Sequence, residues 1–243
     1  MIKRIVFLNI FRGNLYDTDY QTVVDAAKGP DTEVDVWSFP RSEDGSEGDV
    51  FHQLKLHRYE SLTLSATLGR VQEAEAKGYD GFVIGCFNDP GLAEAREVAQ
   101  GIVVAAPCEA SLHVAAALGR RFSVLTVRQG HVPQVEENIR HYGFESQLAS
   151  VRTIGVPTAE LQDDLKKTTE RLVAVGTRAV REDGADVLLL GCTNYFGLYE
   201  KVQQEVGVPV IDPIVSSLKF AEFLIDLRRR FGWRYRRVAE LAD

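Results

Sequence analysis

The sequence predicts an α/β protein built from two similar halves, each around a parallel sheet. Three observations carry this expectation. Short apolar runs alternate with longer helix-forming stretches, glycine-containing turns bound the runs, and one part of the chain repeats another. With 243 residues, 45% of them hydrophobic, the chain has enough apolar material for a substantial core.

The first run, Ile5 to Ile10, reads as a buried strand. Its surroundings, MIKRIVFLNIFRGN, lack the apolar stretch and small-residue cleavage site of a signal peptide. A helix over 19–27 and a strand over Glu33–Trp37 follow. Residues 38–52, SFPRSEDGSEGDVFH, are polar and turn-rich and read as an exposed loop. A helix over 62–77 then stops at Gly78, and the run Phe82-Val83-Ile84 suits a strand buried on both faces. The turn GCFNDPG, a helical stretch and a further strand, Ile102 to Ala105, complete the first half. In the second half, strands are expected at Phe122–Val127 and Ser150–Ile154, with helices over 133–141 and 160–182. Gly184, the run Val187 to Leu190, the turn GCTNYFG and the run Val208 to Ile211 close the series.

The repeat explains this order. Residues 78–115 align without a gap on 184–221. Glycines coincide at Gly78/Gly184, Gly85/Gly191, Gly91/Gly197 and Gly101/Gly207. Identities also join Asp80/Asp186, Cys86/Cys192, Asn88/Asn194, Leu92/Leu198, Glu94/Glu200, Val104/Val210, Pro107/Pro213, Ser111/Ser217, Leu112/Leu218 and Ala115/Ala221. Chance does not produce such a register, so it marks an internal duplication. Each half is then a set of right-handed βαβ units. We expect two pseudosymmetric, flavodoxin-like subdomains with the active site between them. One holds residues 1–107 with 212–243 and carries Cys86; the other holds 108–211 and carries Cys192.

The two cysteines carry the chemistry. Each follows a strand in a glycine-flanked turn that leads towards a helix, where ligands of open parallel sheets bind. Turn N–H groups and a helix N-terminus there are expected to hold the thiol below its free pKa of about 8.5. A small carbon acid between two such thiols can lose a proton from one face and regain one on the other, which inverts a stereocentre without a cofactor. Turn amides, Asn88, Thr193 and Asn194 offer stabilisation of the carbanion or enolate. The asparagines read equally as turn formers. Cys108 falls on Ile214 in the repeat and reads as core packing. Asp80 and Asp186 lie at the other ends of their strands and read as turn formers. The histidines, His52, His57, His113, His131 and His141, form no i, i+4 pair and no metal-binding set; His57 alone is a candidate to line the crevice.

Composition narrows the remaining classes. Three cysteines without a CxxC pair, in a chain with no secretion signal, indicate free thiols and a cytoplasmic location. No apolar stretch approaches the roughly 18 residues of a bilayer span. A formal net charge of −7 disfavours nucleic-acid binding. The expected partner is a small-molecule substrate, with neither membrane nor nucleic acid, in a homo-oligomer. Arg228, Arg229, Arg230, Arg234, Arg236 and Arg237 crowd the C-terminal segment around Phe231, Trp233 and Tyr235. They read as a solvated helix end whose aromatics pack on the body or on another subunit.

Two stretches carry a family resemblance. TLSATLGRVQEAEAKGYDGFVIGCFNDPGLAEARE, 63–97, resembles the first cysteine region of hydantoin and allantoin racemases. LLLGCTNYFGL, 188–198, is similar to the second cysteine motif and comes near the LGCTHY form of glutamate racemases. Nearly the whole chain resembles the aspartate/glutamate/hydantoin racemase superfamily. The resemblance implies two-base cysteine racemisation with no metal or pyridoxal phosphate, catalysed by Cys86 and Cys192. It implies substrate contacts from Asn9, at the end of the first strand, and from Glu109 in the segment VVAAPCEASLHVA. Phe87, Asn88, Thr193 and Asn194 complete the expected site. The first strand departs from the family's Asn-Pro-Asn type ending, and Asn194-Tyr195 replace a Gly-Met pair. The expected substrate is a 5-substituted hydantoin or an allantoin-like ring. Alternatives on the same fold are a maleate-type cis–trans isomerase, an aspartate or glutamate racemase, and a malonate-type decarboxylase. A non-catalytic small-molecule-binding protein is the alternative of another class.

Overall fold

Continuous apolar runs need cover on both faces, and parallel sheets flanked by helices supply it. A computed structural model describes residues 1–12, 14–39, 58–237 and 240 and contains two four-stranded parallel sheets. The elements run β1 (Lys3–Arg12), α1 (Asp17–Ala27), β2 (Thr32–Phe39), α2 (Arg58–Ala76), β3 (Gly81–Gly85), α3 (Leu92–Val98) and β4 (Val103–Ala105). They continue as α4 (Pro107–Leu118), β5 (Phe122–Thr126), α5 (Val132–His141), β6 (Leu148–Thr153), α6 (Leu165–Asp183), β7 (Val187–Leu190), α7 (Tyr199–Val206), β8 (Val210–Ile211) and α8 (Pro213–Phe231). The chain divides into two compact units, Met1–Ala106 with Ser217–Asp243, and Pro107–Ser216.

In the first unit the strand order is β2-β1-β3-β4. The chain starts at β1, moves outward to β2, then crosses to β3 on the other side, so the order reverses between β1 and β3. Ile5 to Leu8 and Phe82 to Ile84 are fully buried. Most of α8 belongs here: a Cβ on Gly81 would lie 2.9 Å from Ile225 Cδ1, so glycine lets the helix pack close to β3. Glu222 accepts from the Gly29 N–H at 2.7 Å, and Lys3 pairs with Asp31 at 2.8 Å and Asp226 at 3.2 Å. Asp80 accepts from the Arg4 N–H and pairs with Arg228 and Arg229, which ties the foot of β3 to α8.

The second unit repeats the plan, with order β6-β5-β7-β8 and a reversal between β5 and β7. Leu188 to Leu190 are fully buried, as are Val124 and Leu125. Asp186 accepts from the N–H groups of Arg120 and Arg121, the counterpart of Asp80 at the foot of β3. Both aspartates thus pin the chain at the start of a central strand. The final helix of each half joins the other unit: α4 follows β4 but belongs to the second unit, and α8 follows β8 but runs into the first.

Several elements differ from the sequence reading. The helix expected from residue 160 starts at Leu165, because the Asp164 side chain accepts from the Lys167 N–H at 2.9 Å and caps it there. Thr158–Glu160 form a separate 3₁₀ turn. β8 has only two residues; Pro209, which precedes it, has no N–H to give to a ladder. Ser38 and Phe39 belong to β2, while residues 40–52 of the expected loop, with His52 and His57, lie outside the described residues. Of the C-terminal aromatics expected to pack on the body or on another subunit, Tyr235 lies under the Arg96 guanidinium of α3 at 5.7 Å, whereas Phe231 and Trp233 do not pack on the body. Phe231 and Trp233 are 57% and 66% exposed and stack on each other at 5.4 Å, beyond the helix end marked by Gly232 at φ +71°. Among the described residues, no helix is long and apolar enough to cross a membrane.

Candidate active site

The two cysteine turns begin alike. Cys86 directly follows β3, and Cys192 follows β7 after Gly191. The glycine before each cysteine has a packing reason. A Cβ on Gly85 would overlap the Leu8 carbonyl oxygen and the Phe7 ring. A Cβ on Gly191 would lie 2.8 Å from Val124 Cγ1 and 3.0 Å from the Leu125 carbonyl oxygen. The central strands therefore approach too closely for any side chain, at the reversal of strand order in each sheet. This is where an open α/β sheet forms its ligand crevice.

In the first unit, Cys86 is half-buried. Its N–H donates to the Ile84 carbonyl at 2.8 Å, and its carbonyl accepts from the Asp89 N–H at 3.0 Å. Asp89 adopts φ +50° and Gly91 φ +71°; at Gly91 a Cβ would also strike Leu64. Phe87 is buried and Asn88 half-buried in this turn. Asn9 pairs with Gly85 in the ladder and so stands beside Cys86. Its side-chain amide donates to the Leu15 carbonyl and to Asp17 Oδ1, both at 2.6 Å, and its Oδ1 accepts from the Phe11 N–H at 3.0 Å. Both amide donors are thus engaged in shaping the β1–α1 connection.

In the second unit, Thr193–Tyr195 form a 3₁₀ turn closed by the Tyr195 N–H on the Cys192 carbonyl at 3.2 Å. All three residues are buried. Asn194 Nδ2 donates to the Thr158 carbonyl at 3.3 Å, and Gln162 Nε2 donates to the Asn194 carbonyl at 2.8 Å. The segment before α6 thereby holds this turn shut. Glu109 is half-buried in the first turn of α4, in the same unit as Cys192. Cys108, beside it, is fully buried, as packing requires.

The expectation of a low thiol pKa is corrected at Cys192. Burial pushes this thiol up to about 11, against a smaller opposing pull from a backbone hydrogen bond with Asn194. The residue keeps part of its surface exposed, yet desolvation of the charged form dominates. The expected help from a helix N-terminus is also displaced. α3 starts at Leu92 and α7 at Tyr199, both well beyond the cysteines, and a helix-end field fades within a turn.

Two residues escaped the sequence reading. Tyr195 is fully buried, and the charge of the Cys192 thiolate reinforces the burial that raises its phenol well above the usual value. Asp212, directly after β8, is buried, and desolvation pushes its carboxyl up to about 6. Its position before Pro213 signals a helix cap in sequence, but nothing local signals that it is buried.

Comparison with known proteins agrees with these motifs. The family model described as Asp/Glu/Hydantoin racemase matches residues 19–221. The chain is 39% identical over 166 residues to a hydantoin racemase of Rhizobium meliloti, covering 68% of each chain. An allantoin racemase structure from Klebsiella pneumoniae superposes with a TM-score of 0.84 at 30% identity, covering 99% of this chain and 93% of that one. Allantoin racemase from Pseudomonas fluorescens gives the same TM-score at 27% identity, covering 98% and 96%. With its duplicated α/β plan and both cysteine turns inside the matched region, the chain belongs to the Asp/Glu/Hydantoin racemase family and is an isomerase of the racemase class.

Proposed function

We propose that this protein racemises a 5-substituted hydantoin or an allantoin-like ring without a cofactor, with Cys86 and Cys192 as the paired acid and base. The observation that carries the reading is the recurrence of glycine-cysteine at the end of both central strands, β3 and β7, on a duplicated scaffold. The hydantoin and allantoin racemases it resembles support the choice of a ring substrate.

The chemistry balances with two thiols. One, as thiolate, takes the proton from the carbon alpha to a carbonyl. The electron pair passes to the carbonyl oxygen as an enolate, and the other thiol returns a proton to the opposite face. In the reverse direction the roles exchange. Cys192, held up to about 11 by burial, is protonated at neutral pH and so begins as a donor. Asn88 and Thr193 are the proposed donors to the enolate oxygen.

The test follows optical rotation and α-proton exchange in heavy water, starting from single enantiomers of a 5-substituted hydantoin, allantoin, aspartate and glutamate. Loss of rotation with deuterium incorporation on a ring substrate supports the reading. Racemisation of the free amino acids alone, or none at all, overturns it.

A further inference from the structure

Buried polar atoms almost always have hydrogen-bond partners, so exceptions call for a cause. Among the described residues, four buried side-chain atoms have none: Thr32 Oγ1, Asn194 Oδ1, Tyr195 Oη and Asp212 Oδ2. The last three belong to the unit of Cys192, and Asn194 and Tyr195 stand in its turn.

Asp212 is the informative member. Its Oδ1 accepts from the N–H groups of Ile214 at 2.8 Å and Val215 at 3.1 Å and so caps α8. A cap needs one oxygen, which serine, threonine or asparagine supplies equally well. The second carboxylate oxygen serves no cap, yet the residue is only 4% exposed. The ladder of β7 and β8 pairs Leu188 with Val210 and Leu189 with Ile211. Asp212 therefore leaves the sheet at the same end as Leu190, Gly191 and Cys192. At Asn194, the bond from Nδ2 to the Thr158 carbonyl fixes which end of the amide is oxygen, so its orphan is an acceptor. The orphan at Tyr195 is a phenol, which donates.

We propose that Asp212 is a specificity-determining residue whose Oδ2, together with Asn194 Oδ1, accepts the ring N–H groups of a cyclic ureide bound at the Cys192 turn. The inference rests on the ring-substrate reading above and names the side chains that select it. A ureide presents N–H, C=O and N–H in sequence, which complements two acceptors and one phenolic donor. A free dicarboxylic acid brings carboxylates, which two buried acceptors repel. Burial pushes the Asp212 carboxyl up to about 6, so at pH 8 it is ionised and accepts.

The test measures binding of unsubstituted hydantoin, which has no stereocentre to invert, and of its 1-methyl and 3-methyl derivatives by calorimetry at pH 8. Asp212→Asn keeps the capping oxygen and turns the second oxygen into a donor. Asp212→Ser keeps a cap and removes the second oxygen altogether. Wild type should bind hydantoin at least about tenfold more tightly than one of the methylated rings. Both variants should lose about tenfold or more for hydantoin and should no longer distinguish that methylated ring. Wild-type affinity in either variant, equal losses for all three ligands, or indifference of wild type to both methyl groups overturns the proposal. The two readings fail separately. Asp212-dependent binding without racemisation of 5-substituted rings leaves this inference standing and removes the enzymatic reading. Racemisation that is indifferent to Asp212 does the reverse.

Discussion

The turns after Cys86 and Cys192 share a glycine, a cysteine and an asparagine at the same register, yet they give those residues different surroundings. Asn88 is half-buried in a turn bent by Asp89 and Gly91 in the left-handed region. Asn194 is fully buried in a 3₁₀ turn bound to Thr158 and Gln162 from the segment before α6. The corresponding connection of the first unit, residues 40–57, lies outside the described residues. What the duplication kept is what the sheet demands. Gly85 and Gly191 sit where adjacent strands leave no room for a Cβ. Beyond the cysteines the asparagine and the left-handed glycine, Gly91 or Gly197, also recur, while Phe87, Asp89 and Pro90 give way to Thr193, Tyr195 and Phe196, which answer to their own neighbours. A repeated residue type therefore identifies a shared position before it identifies a shared role.

The largest expected effect tests whether the cysteines form a pair despite their unlike settings. Cys86→Ala and Cys192→Ala should each lower racemisation by about 10²–10⁴-fold, the range of a lost acid or base. Each variant should retain slow α-proton exchange, with opposite enantiomer preference, read by proton NMR in heavy water. Near wild-type racemisation in either one replaces the two-base scheme with a single-base scheme.

The glycines sharpen the structural half of the comparison. Gly85→Ala forces a Cβ onto the backbone oxygen of Leu8, which cannot move without disturbing β1. The cost should reach about 2–3 kcal/mol, at the upper end for overpacking. Gly191→Ala meets mainly the Val124 side chain and should cost about 1–2 kcal/mol. Urea unfolding of both variants measures the order, and a larger loss at Gly191 contradicts it.

The pH behaviour of Cys192 provides a third test. With the thiol near 11, its thiolate fraction, and hence its alkylation by iodoacetamide, should rise about tenfold per pH unit between pH 8 and 10. Peptide mass spectrometry follows that site alone, and a plateau by pH 8 shows that burial does not control it. The stability consequence has the same origin. A folded-state value raised above the unfolded one favours the native state while the thiol is protonated. That contribution is lost as pH rises from about 9 to about 11.

The smallest effect concerns the thiol outside both turns. Cys108→Ala should cost about 1 kcal/mol and keep most of the turnover, because the residue is fully buried in the core side of α4, outside both cysteine turns. An inactive Cys108→Ala that melts like wild type assigns this thiol a chemical role.

Sequence alone determined the alternation of strands and helices, the duplication and the position of both cysteines at strand ends. These follow from local signals: runs such as Val187 to Leu190 leave no polar face, and Gly184 ends a helix with a left-handed residue. Glycine and cysteine repeat together because a strand contact and the turn after it occupy adjacent positions in the chain. Tertiary structure decided what surrounds those positions. The Cys192 thiol is raised because distant segments desolvate it, overriding the turn amides that a local reading favours. Asp212 escaped the sequence reading, and it is packing that makes its second oxygen an unpartnered acceptor. The family resemblance implies a ligand contact at Asn9, and the fold engages both its amide donors with Leu15 and Asp17. Burial and partnership belong to pairs of segments far apart in the chain, and desolvation depends on all of them together, so no local pattern encodes it.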